Sequence, residues 1–229
     1  MGDPGGLIFL DLKDKAHPKQ ISWLRLNPPF TNGYFGVHSV INLDSRKLLV
    51  GVNEGSGNAL TNPVKTGWVI DYADPTNARI LAVLETPTLP EVPAGHDYTQ
   101  PVRFGPHNAN ENEPQGLVDD WMVYLAWFRA GARVFDLSDP KHPEDVGYFE
   151  PPDPKYRADA RTWSGKPGDP DGSELSSVNQ VFVDKRGLMY VTGYNDGLYI
   201  LEYTGPRPDG SKKALAEAQA QHAALIAKK

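Results

Sequence analysis

One phrase occurs four times in this chain, and each copy has an acidic residue at the end of its apolar run. The first three copies are GLIFLDLKDKAHP (6–18), GWVIDYADPTNA (67–78) and GARVFDLSDPKHP (131–143), and the fourth is the shorter GLYILEYTGP (197–206). The acidic residues that align are Asp11, Asp71, Asp136 and Glu202, at periods of 60, 65 and 66 residues. A unit that returns at a nearly constant period indicates a repeat architecture.

Each copy predicts a buried strand, and the first three add a tight turn. The strand segments are short, apolar and rich in β-branched or aromatic residues. Asp14, Asp74 and Asp139 follow at equivalent places, two of them before Pro. An Asp side chain accepts a hydrogen bond from the backbone two residues on, and Pro presets φ, so the pair favours a reversal. The predicted strands are 7–12, 68–72, 132–137 and 198–203, with outer strands at 20–26, 79–84 and 145–149.

Further strand-like segments precede three of the copies. They are 37–43 and 47–52, a less regular stretch at 104–109 followed by 121–128, and 178–183 with 188–192. Four antiparallel strands per repeat predict an all-β chain of the β-propeller type, with about three four-stranded blades present. We assign 6–205 to the blades and 206–229 to a helical tail, which is expected to be a short, solvated C-terminal helix or a docking helix for a partner.

Two copies carry a resemblance to a known family. GARVFDLSDPKHPEDVG (131–147) and GLIFLDLKDKAHPKQI (6–21) resemble the signature G-L-x-I-V-D-V-S-D-P-x-x-P-x-x-V-G of the LVIVD-repeat proteins, a bacterial and archaeal β-propeller family. The copies at 67 and 197 depart from it. The resemblance covers roughly 6–205 and implies a propeller, but a family defined by its repeat implies little about chemistry. Because such proteins are often exported or at the cell surface, it implies that location for a parent protein.

Composition excludes several classes of function. The 229 residues carry a net charge of −6 without a long basic run, which argues against a nucleic-acid partner. There is no Cys, so disulfides, thiolate metal sites and a Cys nucleophile are excluded. No stretch approaches the ~18 apolar residues of a membrane span. The amino terminus does not have the pattern of a signal peptide, and the localisation stays open.

Three polar residues align on the first strand of successive repeats. They are His38, His107 and Asn179, and the first strand of a blade lines the central channel, so their side chains are expected to converge. Imidazole is the commonest transition-metal ligand, and Glu111 is the nearby candidate for a carboxylate ligand. A divalent transition metal held by His38, His107 and Glu111 is therefore one interpretation. A metal-free polar pocket and purely structural histidines are the alternatives.

The segment 101–116 is the most polar stretch near the predicted channel. Arg103 is placed to hold an anionic group, and Asn108 and Asn179 offer amide donors and acceptors, which makes these three the candidate ligand-binding residues. A solvated loop has the same composition. His17 and His142 recur at one position of the repeated turn, which favours a structural role for both.

Two functions remain open from the sequence. The first is a propeller that binds or scaffolds, recognising a small-molecule or protein ligand at its loop-rich channel face. The second is a metal-dependent enzyme acting on a small organic substrate, although no catalytic residue is identified. Thirteen predicted strands make little more than three blades. The chain is therefore expected either to lack N-terminal blades of a longer propeller or to associate with further copies into a ring.

Overall fold

Four antiparallel sheets and one carboxyl-terminal helix make up the structure. The computed structural model describes residues 6–26, 37–54, 66–87, 104–153, 176–194 and 197–227. Within them, each sheet is formed by strands that are consecutive in the chain. The prediction of an all-β chain with a short C-terminal helix is confirmed.

The observed strands begin and end within two residues of the predicted ones. Sheet 1 contains β1 (Gly6–Asp11) and β2 (Lys19–Arg25). Sheet 2 contains β3 (Val37–Leu43), β4 (Leu48–Asn53), β5 (Gly67–Asp71) and β6 (Arg79–Val83). Sheet 3 contains β7 (Met122–Ala126), β8 (Ala132–Asp136) and β9 (Glu144–Phe149). Sheet 4 contains β10 (Val178–Val183), β11 (Leu188–Gly193) and β12 (Gly197–Glu202), and α1 (Asp209–Ile226) follows it.

An irregular segment completes the inner edge of sheet 3. The backbone N–H of His107 donates to the carbonyl of Ala126 at 2.9 Å, and that of Asn110 donates to Tyr124 at 3.0 Å. Ala109 also forms an isolated antiparallel bridge with Leu125. This segment therefore has the place that β3 has in sheet 2, as its sequence position predicted, without the regularity of a strand.

The repeated phrase folds into the same turn in its first three copies. Asp11, Asp71 and Asp136 each accept a hydrogen bond on Oδ1 from the backbone N–H two residues on, at 2.9, 2.9 and 2.7 Å. The second Asp of each copy repeats this contact at 2.9–3.0 Å. Because both acceptors are local in sequence, the phrase specifies its own reversal. The fourth copy lacks the second Asp, and the chain continues from it towards α1.

The sheets pack face to face in the order of the chain. Leu7 and Leu24 of sheet 1 share a core with Trp68 of sheet 2. The opposite face of sheet 2, through Val50 and Val69, packs on sheet 3. Sheet 3 in turn packs on sheet 4 through a third core, whose members include Val134, Val181 and Val191.

The outer faces of the two terminal sheets carry exposed apolar side chains. On sheet 1, Ile8 is 57% exposed and Leu10 48%. On sheet 4, Leu198 is 58% exposed and Ile200 57%. Trp68 and Ile70 lie on the face of sheet 2 that sheet 1 covers, and both are buried. Among the described residues, sheets 2 and 3 therefore have a packed core on both faces, whereas each terminal sheet has one on a single face.

Helix α1 packs on the sheets and is not free in solvent. The hydroxyl of Ser211 donates to Oδ2 of the buried Asp119 at 2.6 Å, and Leu215 and Ala218 join the core between sheets 3 and 4. The expectation of a solvated helix was therefore wrong for its amino-terminal half, whereas Leu225 and Ile226 at its end are exposed. Among the described residues, no helix has both the length and the apolar character needed to cross a membrane.

Candidate metal centre

Two histidines and one glutamate meet at the inner edges of sheets 2 and 3. His38 Nε2 lies 3.5 Å from Glu54 Oε2, and His107 Nε2 lies 3.4 Å from Glu54 Oε1. One donor atom from each of the three residues lies within 4.8 Å of those of the other two. Glu54 therefore faces both imidazoles, one with each carboxylate oxygen.

The hairpin of β3 and β4 brings Glu54 to His38. These strands are joined by a 3₁₀ turn (Asp44–Arg46), so the end of β4 lies beside the start of β3. The register pairs Val37 with Asn53, which places Glu54, the next residue, at the open end of the hairpin beside His38. His107 comes from the equivalent irregular segment of sheet 3.

β-Bulges lie at two of the three aligned polar positions. The register of β3 with β4 shifts between Val37 and Ser39, so His38 is the additional residue of a bulge. The register of β10 with β11 shifts in the same way between Val178 and Gln180, at Asn179. A bulge bends the strand and re-aims a side chain. The bulges therefore place His38 and Asn179 outside the strand register, at equivalent edges of sheets 2 and 4.

Both imidazoles have a second contact that leaves Nε2 directed at Glu54. His107 Nδ1 lies 2.9 Å from the backbone carbonyl oxygen of Asn179. Because a carbonyl only accepts, Nδ1 carries the hydrogen, and the neutral ring has its lone pair on Nε2. His38 Nδ1 lies 2.9 Å from the hydroxyl of Ser39. Histidines that bind metals have this arrangement, in which the other ring nitrogen is held by a polar partner.

The two N···O distances in the centre are longer than those of a close ion pair and are compatible with a metal site. Charge-assisted N–H···O bonds are typically about 2.7–2.9 Å long, which is shorter than the 3.4 and 3.5 Å observed. Bonds of about 2.0–2.1 Å to a tetrahedral ion place neighbouring donor atoms roughly 3.3–3.4 Å apart. The lone pair of Nε2 and a carboxylate oxygen are both electron-pair donors, so a cation bound between them would stabilise the arrangement.

The centre is buried on one side and open on the other. The side chains of His107 and Glu54 are 9% and 11% exposed, whereas that of His38 is 30% exposed. The His107 ring lies between two other rings, with centroids 4.5 Å from His38 and 4.8 Å from Phe128. Solvent therefore reaches the centre from the side of His38, and His107 forms its inner wall.

The predicted site residues have different outcomes. The structure brings His38 and His107 together, and Asn179 contributes its backbone carbonyl to the same place. Asn108 lies beside His107, where its backbone carbonyl accepts from Ala126 at 2.8 Å. Arg103 lies outside the described residues, and its role as an anion-binding residue stays a prediction.

Glu111 does not belong to the cluster, in which Glu54 is the carboxylate. It is exposed and lines a surface cavity of about 430 Å³ with Asn42 and Asp44. The physical reason is that the chain leaves β7 after Asn110, whose backbone N–H makes the last contact with that strand, and turns at Asn112, where φ is +56°. Glu54 was missed because it begins a long Gly-rich stretch that indicates a loop. The signal that could have identified it was the hairpin register, since β4 must end beside the start of β3.

The histidines of the repeated turn have a local role. His17 Nδ1 lies 2.9 Å from Asp14 Oδ2, and His142 Nδ1 lies 2.8 Å from Asp139 Oδ2. These hydrogen bonds are the main cause that lowers the pKa of Asp14 and Asp139. Both histidines are largely exposed, at 80% and 78% of their side chains. They are surface partners of the turn, as the sequence indicated.

A wider cavity of about 1150 Å³ lies away from the centre, between the outer strands β6 and β9 and the segment that follows β12. Arg133 lines it and is paired with Asp145 and Glu150 at 3.2 and 3.1 Å. Among the described residues, the cluster that could hold a metal ion is that of His38, Glu54 and His107, and none of these three lines this cavity.

No protein-family model matches this chain, and a search of curated proteins finds no significant match. The function must therefore be inferred from the geometry of the centre and from the chemistry of its three side chains.

Proposed function

We propose that the four sheets are successive blades of a β-propeller of the LVIVD-repeat type. Consecutive antiparallel sheets stacked face to face in chain order support this architecture. The alignment of His38, His107 and Asn179 at the inner edges of three neighbouring sheets supports it as well, because inner edges line the channel of a propeller. The His–Glu–His centre would then lie at the channel face.

Within that architecture, we propose that His38, Glu54 and His107 bind a divalent transition metal ion. The observation that carries the proposal is the shared carboxylate, whose two oxygens face the Nε2 atoms of two imidazoles held at Nδ1. Nitrogen and oxygen donors of this kind suit Zn²⁺ and its neighbours in the first transition row.

The open side of the centre favours ligand binding over a closed structural site. Metal sites that only stabilise a fold are closed by four protein ligands, whereas catalytic sites combine three with an exchangeable position. Exposure of His38 supplies the approach for a small organic ligand at the channel face. A bound ion polarises an oxygen of such a ligand or generates a nucleophile from water. Ligand binding and metal-dependent catalysis would thus both take place at the His–Glu–His centre. Of the two, the three-ligand geometry favours a metal-dependent enzyme.

Metal analysis and titration test the proposal. The protein is stripped with a chelator, and Zn²⁺ binding is measured by competition with a chromophoric chelator. We expect close to one equivalent of bound Zn²⁺, with binding at this site abolished by His38→Ala and by His107→Ala. His142→Ala is the matched control, because it removes an exposed histidine that also has a carboxylate partner.

The control variant is expected to keep the full stoichiometry and affinity of the unmodified protein. A chain that binds no Zn²⁺, Co²⁺ or Mn²⁺ would overturn the proposed metal centre. Equal losses in all three variants would do so as well, because they would indicate surface binding by histidines in general.

A further inference from the structure

We infer that Phe128 is a positioning residue for His107, which it holds in the orientation needed for metal binding. This inference rests on the proposed metal function. Phe128 follows β7 and is fully buried. Its ring stacks on the His107 imidazole with centroids 4.8 Å apart and planes inclined by 29°. It covers one face of His107, and His38 covers another part of the same ring at 4.5 Å.

The backbone of Phe128 has a conformation that a bulky residue rarely adopts. Its φ is +35°, in the left-handed region that favours Gly. The next glycine, Gly131, also has a positive φ, of +81°, and ends the same hairpin turn. A Gly at 128 would relieve the strain and lose the stacked ring. Strained residues of this kind are concentrated at functional sites, and here the strained residue touches a proposed metal ligand.

The carbonyl of Phe128 is held from two directions. It accepts a hydrogen bond from the backbone N–H of Gly131 at 3.0 Å, within the hairpin, and another from Val178 at 3.0 Å. Phe128 and Val178 also form an isolated antiparallel bridge between sheets 3 and 4. The strained backbone therefore connects the turn of one sheet to the first strand of the next.

The same bridge places the second contact of His107. Val178 precedes Asn179, whose carbonyl oxygen accepts from His107 Nδ1 at 2.9 Å. His107 is thus oriented by two contacts that both depend on Phe128. The ring of Phe128 sets the plane of the imidazole. The backbone of Phe128 is hydrogen-bonded to Val178 at the start of β10, and the next residue, Asn179, accepts from Nδ1 of His107. These two contacts restrict both the rotation and the tilt of the His107 imidazole, which leaves its Nε2 directed at Glu54.

Equivalent positions of the repeat support a role at the site. Val52 pairs with Gly67 in sheet 2, and Glu54 lies two residues after Val52. Ala126 pairs with Ala132 in sheet 3, and Phe128 lies two residues after Ala126. The position that supplies a proposed ligand in one sheet therefore supplies the stacking ring in the next.

The test compares two phenylalanines that are equally buried. Phe128→Leu removes the stacked ring, and Phe135→Leu removes a fully buried ring that packs on Trp127 with centroids 6.1 Å apart. Thermal unfolding measures the stability of each variant. Zn²⁺ competition and the visible absorption of the Co²⁺-loaded protein measure the centre. Phe128→Met is a second ring-free variant that keeps most of the volume if leucine prevents folding.

We expect Phe128→Leu and Phe128→Met to weaken Zn²⁺ binding by about tenfold or more, the range found when partners of metal-bound histidines are removed. The Co²⁺ absorption bands should shift in both. Phe135→Leu should lower the unfolding temperature and leave the affinity and the Co²⁺ spectrum unchanged. Equal Zn²⁺ affinity in the unmodified protein and both Phe128 variants would overturn the inference while the metal centre stands. No binding by the unmodified protein would overturn the metal centre and this inference together.

Discussion

Glu54 determines the character of the centre at the scale of single residues. Both of its oxygens face an imidazole, so one side chain links His38 of sheet 2 to His107 of sheet 3. Its side chain is 11% exposed, and a carboxylate at such a depth is stabilised only by hydrogen bonds or a nearby cation. A metal ion bound between the three residues, as proposed, would be such a cation.

Replacing Glu54 should therefore affect metal binding much more than replacing Glu111. Glu54→Gln keeps the shape and removes the charge, and we expect Zn²⁺ affinity to fall by about tenfold or more. Glu111→Gln is the matched control, because Glu111 is an exposed carboxylate outside the cluster. Isothermal titration of both variants checks this. A larger loss for Glu111→Gln would restore the sequence-based assignment of the carboxylate ligand.

At the scale of elements, a buried polar network holds helix α1 on the sheets. Asp119 is fully buried and accepts from the hydroxyls of Ser211 and Tyr124 at 2.6 and 3.1 Å. Arg207 Nη1 donates to the same Tyr124 hydroxyl at 2.6 Å and lies 3.7 Å from Asp119 Oδ2. Burial, reinforced by the charge of Asp119, raises the pKa of Tyr124, so this hydroxyl remains a donor. The network connects the start of α1 to β7.

Asp119→Ala should destabilise the protein by about 3 kcal/mol, because it leaves Arg207 buried without its carboxylate and removes two hydroxyl partners. Urea unfolding followed by circular dichroism gives this free energy. Hydrogen exchange should show faster exchange in α1 before the sheets open. Glu217→Ala is the control, since it removes an exposed helix residue with a surface Lys213 contact, and its unfolding midpoint should not change.

At the scale of the whole molecule, the centre bridges two sheets that are also joined by an apolar core and by hydrogen bonds from Arg46 to the carbonyls of Asp120 and Leu137. His38 and Glu54 belong to sheet 2, and His107 belongs to the inner edge of sheet 3. A metal ion bound there contacts both sheets in the folded state only. Binding free energy then adds to the free energy of unfolding, by about 2.7 kcal/mol when free metal is 100 times its dissociation constant.

Thermal unfolding should therefore respond to metal, with a higher midpoint in Zn²⁺ and a lower one after chelation. Acidification should remove the gain, because imidazoles must be deprotonated to bind the ion and protons compete for them as pH falls. His38→Ala should show no Zn²⁺-dependent shift at any pH. An equal shift in that variant would contradict a bridge at this centre.

The sequence predicted most of the secondary structure because the signals were local. The acidic turn is closed by hydrogen bonds between residues two apart, as at Asp71 and Asp136, so its residues carry the information for their own conformation. Alternation and β-branched residues identified the strands for the same reason. The packing of α1 was missed, because it depends on Asp119, which is far away in the chain.

The sequence by itself determined that the chain repeats a strand–turn–strand unit, that His38, His107 and Asn179 take equivalent positions in three sheets, and that the fold is all-β. Each of these follows from spacing along the chain. The tertiary structure alone decided that Glu54, rather than Glu111, faces the two histidines, and that Phe128 stacks on His107. Those contacts join residues from different strands and sheets. Their distances depend on register, bulges and sheet packing, which only the folded chain combines.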